Sequence, residues 1–210
     1  MNISEKIKNT RFLIFDFDGT IANTSPIHEK AFKEVLRPYK LDFKYEEIAG
    51  QSTRKAFNHI FKKNNINLAS TLLDSLISRK QEIVRENISS NSKFKPLPFA
   101  REFIQKYHHN YSMGIASSGS RKTIEIALRR LELYDFFKII LCAEDVIESK
   151  PSPEIFLKII SLGNFTKEEC LIFEDSQNGF KASKAANIPF IDVTTYPFKK
   201  ILEEFNNFHE

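Results

Sequence analysis

Two aspartates, Asp16 and Asp18, directly follow an apolar run in the stretch FLIFDFDGT, residues 12–20. Residues two apart in an extended chain project to the same side, so both carboxylates can face one reacting group. One carboxylate can act as a nucleophile while the other carries a proton to or from the reacting oxygen. Gly19 allows a sharp turn after the pair. The stretch therefore predicts a catalytic carboxylate pair at the end of a buried strand.

Other polar residues follow later apolar runs and predict one shared site. The carboxyl ends of parallel strands lie at one edge of a sheet, where ligands bind. Carboxylates gathered there repel one another unless a cation lies among them, and ligands that are all oxygen favour Mg²⁺. A lysine and small hydroxyl residues beside glycine suit a phosphate group. The residues concerned are Ser117, Ser118, Lys150, Glu174 and Asp175.

The elements that must position these residues are short apolar runs separated by helical patterns. Such runs are typical of central strands in a parallel sheet that is covered on both faces. Their alternation with helices predicts an α/β fold with a Rossmann-like, doubly wound parallel sheet. Ser152 followed by Pro153 predicts the start of one helix, with Ser152 as its N-cap. The predicted strands are 12–17, 112–117, 139–142, 170–173 and 189–193.

One region interrupts this alternation. Residues 26–90 contain helical apolar patterns and no convincing strand, which predicts a small α-helical cap domain inserted after the first strand. The segment KPLP at 95–98 predicts a hinge where the chain leaves the insert, because proline restricts itself and the preceding residue. We predict a catalytic core from residues 1–22 and 95–210 and a cap from residues 23–94.

Composition narrows the class of protein. The 210 residues are 41% hydrophobic, enough for one good core, and the net charge of +4 is spread among interleaved acidic and basic residues. No dense basic block and no apolar run of about 20 residues occurs, so neither nucleic acid nor a membrane is an expected partner. Cys142 and Cys170 are expected to be free buried thiols. We expect a cytoplasmic protein, with a monomer as the default.

Four motifs, taken together and in order, resemble those of the haloacid dehalogenase superfamily. They are DFDGT at 16–20, ASS at 116–118, SKPSPEIF at 149–156 and FEDSQNGF at 173–180. The helical insert resembles the cap of the phosphatase and β-phosphoglucomutase branch of that superfamily. The resemblance covers nearly the whole chain.

This resemblance implies a role for each acidic residue. Asp16 is expected to be the nucleophile that forms an aspartyl-phosphate. Asp18 is expected to be the general acid and base, with its backbone carbonyl on the metal. Mg²⁺ is the expected cofactor, held by Asp16, Asp18, Glu174 and Asp175, with Glu174 bound directly or through water.

The resemblance also implies phosphate and substrate contacts. Ser117 and Ser118 are expected to bind the transferring phosphoryl group, and Lys150 is expected to neutralise charge between phosphate and Asp16. In the mutase branch the cap segment reads glycine, any residue, serine, arginine. Here GQSTR at 50–54 places the arginine one position later, and for each of the three candidate cap contacts an exposed position on a helix face is at least as good an interpretation. The candidate cap contacts are His28, Arg54 and Lys80.

The expected function is Mg²⁺-dependent hydrolysis of a small phosphorylated metabolite, of the sugar phosphate or phosphoglycolate type. A sugar-phosphate mutase similar to β-phosphoglucomutase uses the same core residues and stays an alternative. A remote alternative is a non-enzymatic phosphoacceptor switch, since such domains also combine acidic residues, Mg²⁺, lysine and a phosphorylated aspartate. Those domains commonly lack a helical insert and carry the phosphorylated aspartate later in the chain.

Overall fold

The computed structural model describes residues 3–209, with the side chains of residues 5–209. Its centre is a parallel sheet with the strand order β3-β2-β1-β4-β5. This confirms the predicted doubly wound α/β fold, because the chain begins at the middle strand and builds the sheet outward in both directions. The strands are β1 (Phe12–Phe15), β2 (Ser112–Ala116), β3 (Ile139–Leu141), β4 (Cys170–Glu174) and β5 (Phe190–Asp192).

Helices cover both faces of this sheet, as a parallel sheet requires. Alternate residues of β1 show the two layers: Leu13 and Phe15 pack into the larger core, whereas Phe12 and Ile14 pack into the other. The α-helices are α1 (Ile3–Ile7), α2 (Ser25–Leu36), α3 (Thr53–Lys63), α4 (Ser70–Ser90), α5 (Ala100–Tyr107), α6 (Arg121–Arg130), α7 (Glu154–Gly163), α8 (Gln177–Ala186) and α9 (Phe198–His209).

The predicted helical insert corresponds to α2, α3 and α4. Residues 25–90, all of which the structure describes, contain no strand. Phe32 of α2 packs against Phe57 of α3 with ring centroids 5.0 Å apart, and the apolar face of α4 is buried against these helices. Ser52 caps α3, since its hydroxyl accepts a hydrogen bond from the Lys55 amide. The boundaries given above for core and cap stay a prediction.

Two local predictions needed correction. Strand β1 ends at Phe15, two residues earlier than predicted, because the Phe17 carbonyl accepts hydrogen bonds from the amides of residues 20–22 and turns the chain. The helix predicted to begin at Pro153 begins at Glu154, with Pro153 as its N-cap. Ser152 lies instead in a turn, where its amide donates to the Ser149 carbonyl.

Neither cysteine forms a disulfide within the part of the chain that the structure describes. Cys142 and Cys170 are buried free thiols, as predicted. Burial raises the pKa of each thiol to about 12. Between residues 3 and 209, no helix is both long and apolar enough to span a membrane.

Candidate active site

The strongest charge cluster lies where β1 and β4 end beside each other. Phe15 pairs with Phe173, so the next residues, Asp16 and Glu174, emerge side by side. Lys150, on the loop after β3, inserts between them. Its Nζ atom donates to Asp16 Oδ1 at 2.6 Å and to Glu174 Oε1 at 2.5 Å. The three side chains are almost completely buried. Lys150, Asp16 and Glu174 therefore form an ion triad that is shielded from solvent.

Burial and neighbouring charge shift the pKa values of this triad. Burial raises the pKa of Asp16 well above its usual value, and the nearby Glu174 and Asp175 carboxylates raise it further, although Lys150 opposes the change. Burial alone would lower the pKa of Lys150, but its two carboxylate partners raise it instead. Lys150 therefore stays a fixed positive charge at the site.

Both carboxylate oxygens of Glu174 are engaged by protein groups. Oε1 accepts from Lys150, and Oε2 accepts from the amides of Asp175 and Ser176 at 2.9 Å each. The Ser176 hydroxyl adds a third donor to Oε2 at 3.1 Å. Gly179 makes room for this carboxylate, because a Cβ atom there would lie 1.8 Å from the Glu174 carboxyl carbon. The geometry makes Glu174 the anchor of Lys150, and its predicted role toward the metal stays a prediction.

Asp175 lies on the other side of the site, against the turn after β1. The Thr20 hydroxyl donates to its Oδ1 atom at 3.1 Å. A Cβ atom on Gly19 would come within 2.0 Å of Asp175 Oδ2, and Gly19 has a φ of +93°. Glycine is thus needed here both for the turn and for the close approach. Burial, with the Glu174 charge, raises the pKa of Asp175 to about 7.

The donor set beside this turn fits Mg²⁺. Over residues 3–209, no group of three His, Cys, Asp or Glu side chains is arranged to hold a metal ion. Mg²⁺ does not require one, since it commonly binds through one or two carboxylates and completes its shell with waters and substrate phosphate. Asp16 and Asp175 are neighbouring carboxylates that could supply such ligands, and the contribution of the Asp18 backbone carbonyl stays a prediction. An added cation would also offset the excess of buried carboxylate charge.

Asp18 lies where the helical insert meets the sheet. The Thr24 hydroxyl donates to its Oδ1 atom at 2.6 Å, and His28 Nε2 lies 3.3 Å from the same oxygen. Burial alone would raise the pKa of Asp18, but His28, Thr24 and the charge of Lys80 together bring it below its usual value. The two aspartates of the pair therefore have pKa values shifted in opposite directions, because burial and neighbouring carboxylates dominate at Asp16, whereas His28, Thr24 and Lys80 outweigh burial at Asp18.

Lys80 approaches the site from α4. Its Nζ atom lies 2.7 Å from His28 Nδ1 and 4.6 Å from the centre of the Phe32 ring. Burial lowers the pKa of Lys80 to about 8. Burial, together with Lys80, also lowers the pKa of His28. The neutral ring can then accept from Lys80 at Nδ1, while Nε2 lies 3.3 Å from Asp18 Oδ1 without hydrogen-bond geometry.

The two predicted serines follow β2. The Ser117 hydroxyl accepts a hydrogen bond from the Gly119 amide at 3.0 Å and is fully buried. The Ser118 hydroxyl oxygen is also buried, and no described group hydrogen-bonds to it. Ser118 lines the cavity at the strand ends. An unpaired buried hydroxyl at this position can serve a bound ligand.

A small cavity of about 40 Å³ lies between the strand ends of the sheet and the helical insert. It has room for little more than a water molecule. The predicted residues on its wall are Asp16, Asp18, His28, Lys80 and Ser118, and the residues that sequence reasoning missed are Phe32, Tyr45, Ile48, Gly50, Gln51, Thr53, Gly119 and Ser176. Most of the missed residues belong to the insert: Gly50, Gln51 and Thr53 lie in the GQSTR segment, from which only Arg54 was chosen, and no motif marked Phe32, Tyr45 or Ile48.

Arg54 is not brought into this cavity. It is exposed and pairs with Asp74 on α4. The neighbouring Thr53 lines the cavity instead, and its hydroxyl lies 3.4 Å from Lys80 Nζ. Helical neighbours point about 100° apart, so the one-residue shift in GQSTR turns the arginine outward. Arg54 instead lines a neighbouring cavity that shares Thr53 and Ser118 with this one, and its role as a substrate contact stays a prediction.

Comparison with known proteins agrees with this fold. The chain is 30% identical to fructose-1-phosphate phosphatase YqaB of Escherichia coli, over 86% of this chain and 95% of that one. It is 29% identical to β-phosphoglucomutase of Bacillus subtilis, over 86% of this chain and 82% of that one. A solved β-phosphoglucomutase from Clostridium difficile has the same fold, with a TM-score of 0.80, 23% identity and coverage of 95% and 99%.

The family assignment depends on a match over most of the chain. The model of the haloacid dehalogenase-like hydrolases matches residues 13–193, from β1 to just beyond β5. All four motifs recognised in the sequence lie within this match. The resemblance is thereby confirmed, as is the prediction of an enzyme of this hydrolase class. The chain belongs to the haloacid dehalogenase-like hydrolase family.

Proposed function

We propose that the protein is a Mg²⁺-dependent phosphatase that hydrolyses a small phosphorylated sugar through an aspartyl-phosphate on Asp16. The observation that carries this proposal is the buried Lys150, which bridges Asp16 and Glu174 beside the cavity at the strand ends. A phosphoryl group transferred to Asp16 needs fixed positive charge next to the nucleophile, and Lys150 supplies it. Phosphoryl transfer depends mainly on such positioning and charge neutralisation.

In the first step, an oxygen of Asp16 attacks phosphorus, and the bond between phosphorus and the sugar oxygen breaks. Lys150 holds Asp16 Oδ1, which orients the carboxylate and leaves its second oxygen to attack. Ser117 and Ser118 bind the phosphoryl oxygens. Asp16, Asp175 and the Asp18 carbonyl would hold Mg²⁺, which when bound would add positive charge beside the phosphoryl group.

In the second step, water attacks the aspartyl-phosphate and releases inorganic phosphate. Asp18 accepts a proton from this water, after having donated one to the departing sugar oxygen. Its lowered pKa supports the base half of this cycle, because the ionised form is favoured. Thr24 and His28 hold the carboxylate in place through their contacts with Oδ1.

The insert side of the cavity supports a small, hydroxyl-bearing substrate. Tyr45, Gln51 and Thr53 offer neutral hydrogen-bonding groups, whereas Lys80 adds a single positive charge. A sugar presents hydroxyl groups that such side chains can bind. With a free volume of about 40 Å³, the cavity must widen to admit any substrate. We therefore propose that the insert moves away from the sheet during each turnover.

A sugar-phosphate mutase is the second candidate, supported by the likeness to β-phosphoglucomutases. A mutase has to hold a doubly phosphorylated sugar, whose second phosphate needs a cationic site away from Asp16. Of the described residues that line the cavity, only Lys80 is a lysine or arginine. This single cation within the cavity favours hydrolysis, whereas Arg54 and Lys55 of the neighbouring cavity are the cations that a mutase would need. The family match argues against the remote alternative of a phosphoacceptor switch.

The deciding experiment measures both phosphate and sugar products. The enzyme would be incubated with Mg²⁺ and a panel of sugar phosphates, phosphoglycolate, nucleotides and β-glucose 1-phosphate, beside an Asp16→Asn variant. We expect phosphate release from a sugar phosphate in the wild type and none above background in Asp16→Asn. Conversion of β-glucose 1-phosphate to glucose 6-phosphate with little free phosphate would identify a mutase. Equal phosphate release by the variant would exclude Asp16 as nucleophile.

A further inference from the structure

A second, larger cavity of about 830 Å³ lies along the outer edge of β5. It shares no lining residue with the cavity at the active site. Its volume falls in the range of about 300–1,000 Å³ that is usual for small-molecule sites. Neither the catalytic motifs nor the proposed reaction uses any residue that lines it.

The wall of this cavity is mostly apolar and carries two aromatic rings. Phe190 of β5 is half-buried and stacks on Phe180 of α8, with ring centroids 5.3 Å apart and an angle of 19° between the ring planes. Tyr196, just beyond β5, contributes a second half-buried ring. Ile188 and Ile191 complete the apolar surface. Such a surface favours a flat, apolar group that can lie against the rings.

Three lysines surround these rings. The Lys6 Nζ atom donates to the Phe190 carbonyl at 2.6 Å and lies 5.9 Å from the centre of that ring. Burial lowers the pKa of Lys6. The other two lysines are Lys167 and Lys184. Within residues 5–209, none of the three forms an ion pair with a carboxylate. Their positive charges are therefore available to a ligand.

The acidic groups of the same cavity do not cancel this charge. Asp192 uses its Oδ1 atom within its own turn, where it accepts from the Thr194 amide and hydroxyl. Glu168 is exposed and forms no ion pair with a described residue. With three lysines against two carboxylates, the lining keeps an excess of positive charge. An anionic group is the complement of this arrangement.

Lys6 also argues against a peptide strand as the occupant. An added strand would need the outward backbone groups of the β5 edge, but the Phe190 carbonyl already accepts from Lys6. Lysine at a sheet edge is a common protection against strand addition. We propose that this cavity binds a small aromatic anion, with its ring against Phe190 and Tyr196 and its phosphate, sulfonate or carboxylate group among Lys6, Lys167 and Lys184.

The test uses the full chain and the sulfonated aromatic dye 8-anilinonaphthalene-1-sulfonate, titrated by fluorescence without Mg²⁺. Lys184 and Lys181 form a matched pair, since both are exposed on α8 but only Lys184 lines the cavity. We expect saturable binding to weaken about two- to fivefold in Lys184→Gln and to stay unchanged in Lys181→Gln. Lys6→Met, which keeps an apolar stem, should weaken it further. ADP, a natural aromatic anion, should displace the dye.

Two outcomes would overturn the proposal. One is the absence of saturable binding, or an equal effect of Lys184→Gln and Lys181→Gln. The other is binding that weakens in Lys80→Met but not in Lys184→Gln, which would place the dye in the active-site cavity. Circular dichroism of each variant checks the fold. The exposed Lys184→Gln substitution keeps the test decisive even if Lys6→Met does not fold.

Discussion

The two sides of the active-site cavity hold their lysines in opposite electrostatic environments. On the sheet side, Lys150 lies between Asp16 and Glu174, and the pKa of Lys150 is raised. On the side of the helical insert, Lys80 is equally buried but contacts His28, and its pKa is lowered to about 8. Burial lowers the pKa of any lysine, so the number of adjacent carboxylates decides the direction of the net shift.

This difference separates a fixed part of the site from an adjustable one. Lys150 is held between the carboxylates of Asp16 and Glu174, which lie on neighbouring strand ends. Moving Lys150 away would leave two buried carboxylates without a positive partner. Lys80 comes from the insert, contacts His28, and acts on the sheet side through the attraction between its charge and Asp18. The sheet side is thus suited to the reaction common to many substrates. The insert side is suited to substrate selection and to opening.

The largest effect on activity and stability is expected when Lys150 is replaced. We expect Lys150→Met to reduce kcat by at least about a thousandfold and to lower the free energy of unfolding by about 3–5 kcal/mol, because Asp16 and Glu174 become an unpaired buried carboxylate pair. Phosphate release and denaturant unfolding measure the two effects. Adding Glu174→Gln should restore part of the stability but none of the activity. Wild-type stability in the single variant would contradict the ion triad.

A smaller effect is expected when the anchor of Lys150 is displaced. Gly179→Ala places a Cβ atom within 1.8 Å of the Glu174 carboxyl carbon, so the carboxylate must move. We expect a loss of about 1–3 kcal/mol in stability and a fall in kcat of about tenfold or more. Gly163→Ala, at the end of α7, is the matched control. Its Cβ meets only Phe165 and Ile139, so activity per folded molecule should be unchanged.

On the insert side, substitutions of Lys80 on α4 and Arg54 on α3 test whether activity depends on a cation in the cavity or on positive charge anywhere on the insert. Lys80→Met removes the cation that lines the cavity, and we expect kcat/KM to fall about ten- to a hundredfold. Arg54→Ala removes an exposed cation that pairs with Asp74, and its effect should stay below about twofold. Steady-state kinetics on one sugar phosphate compares them. A larger loss in Arg54→Ala would show that the insert rearranges before substrate binds.

The smallest expected effect is on the pH dependence of the free energy of unfolding, which tests whether burial lowers the pKa of Lys80. The pKa of Lys80 is lowered to about 8 from its usual 10.5, so between these values the unfolded chain binds more protons at this position. The free energy of unfolding should therefore rise with pH through this window. Urea unfolding at pH 7.5, 9 and 10 should show that Lys80→Met lacks this increment. Parallel curves for the two proteins would mean that Lys80 is not desolvated.

Much of the sheet side could be predicted from local sequence. The apolar run before Asp16 has the length and burial of a central strand, and the later runs follow the same rule. Because parallel strands present their carboxyl ends at one edge, the polar residues after each run had to meet there. The insert side could not be predicted equally well. Its helices have clear apolar faces, but their rotation over the sheet depends on packing of rings such as Phe32 and Phe57.

The sequence by itself determined the α/β architecture, the helical insert and the acidic and basic residues at the strand ends, because strand length, apolar period and chain order are local properties. Only the tertiary structure decided that Glu174 is saturated by Lys150 and the amides that follow it. It also turned Thr53 rather than Arg54 into the cavity. Those outcomes depend on contacts between segments that are far apart in the chain. Packing and charge compensation in the folded protein determine these contacts.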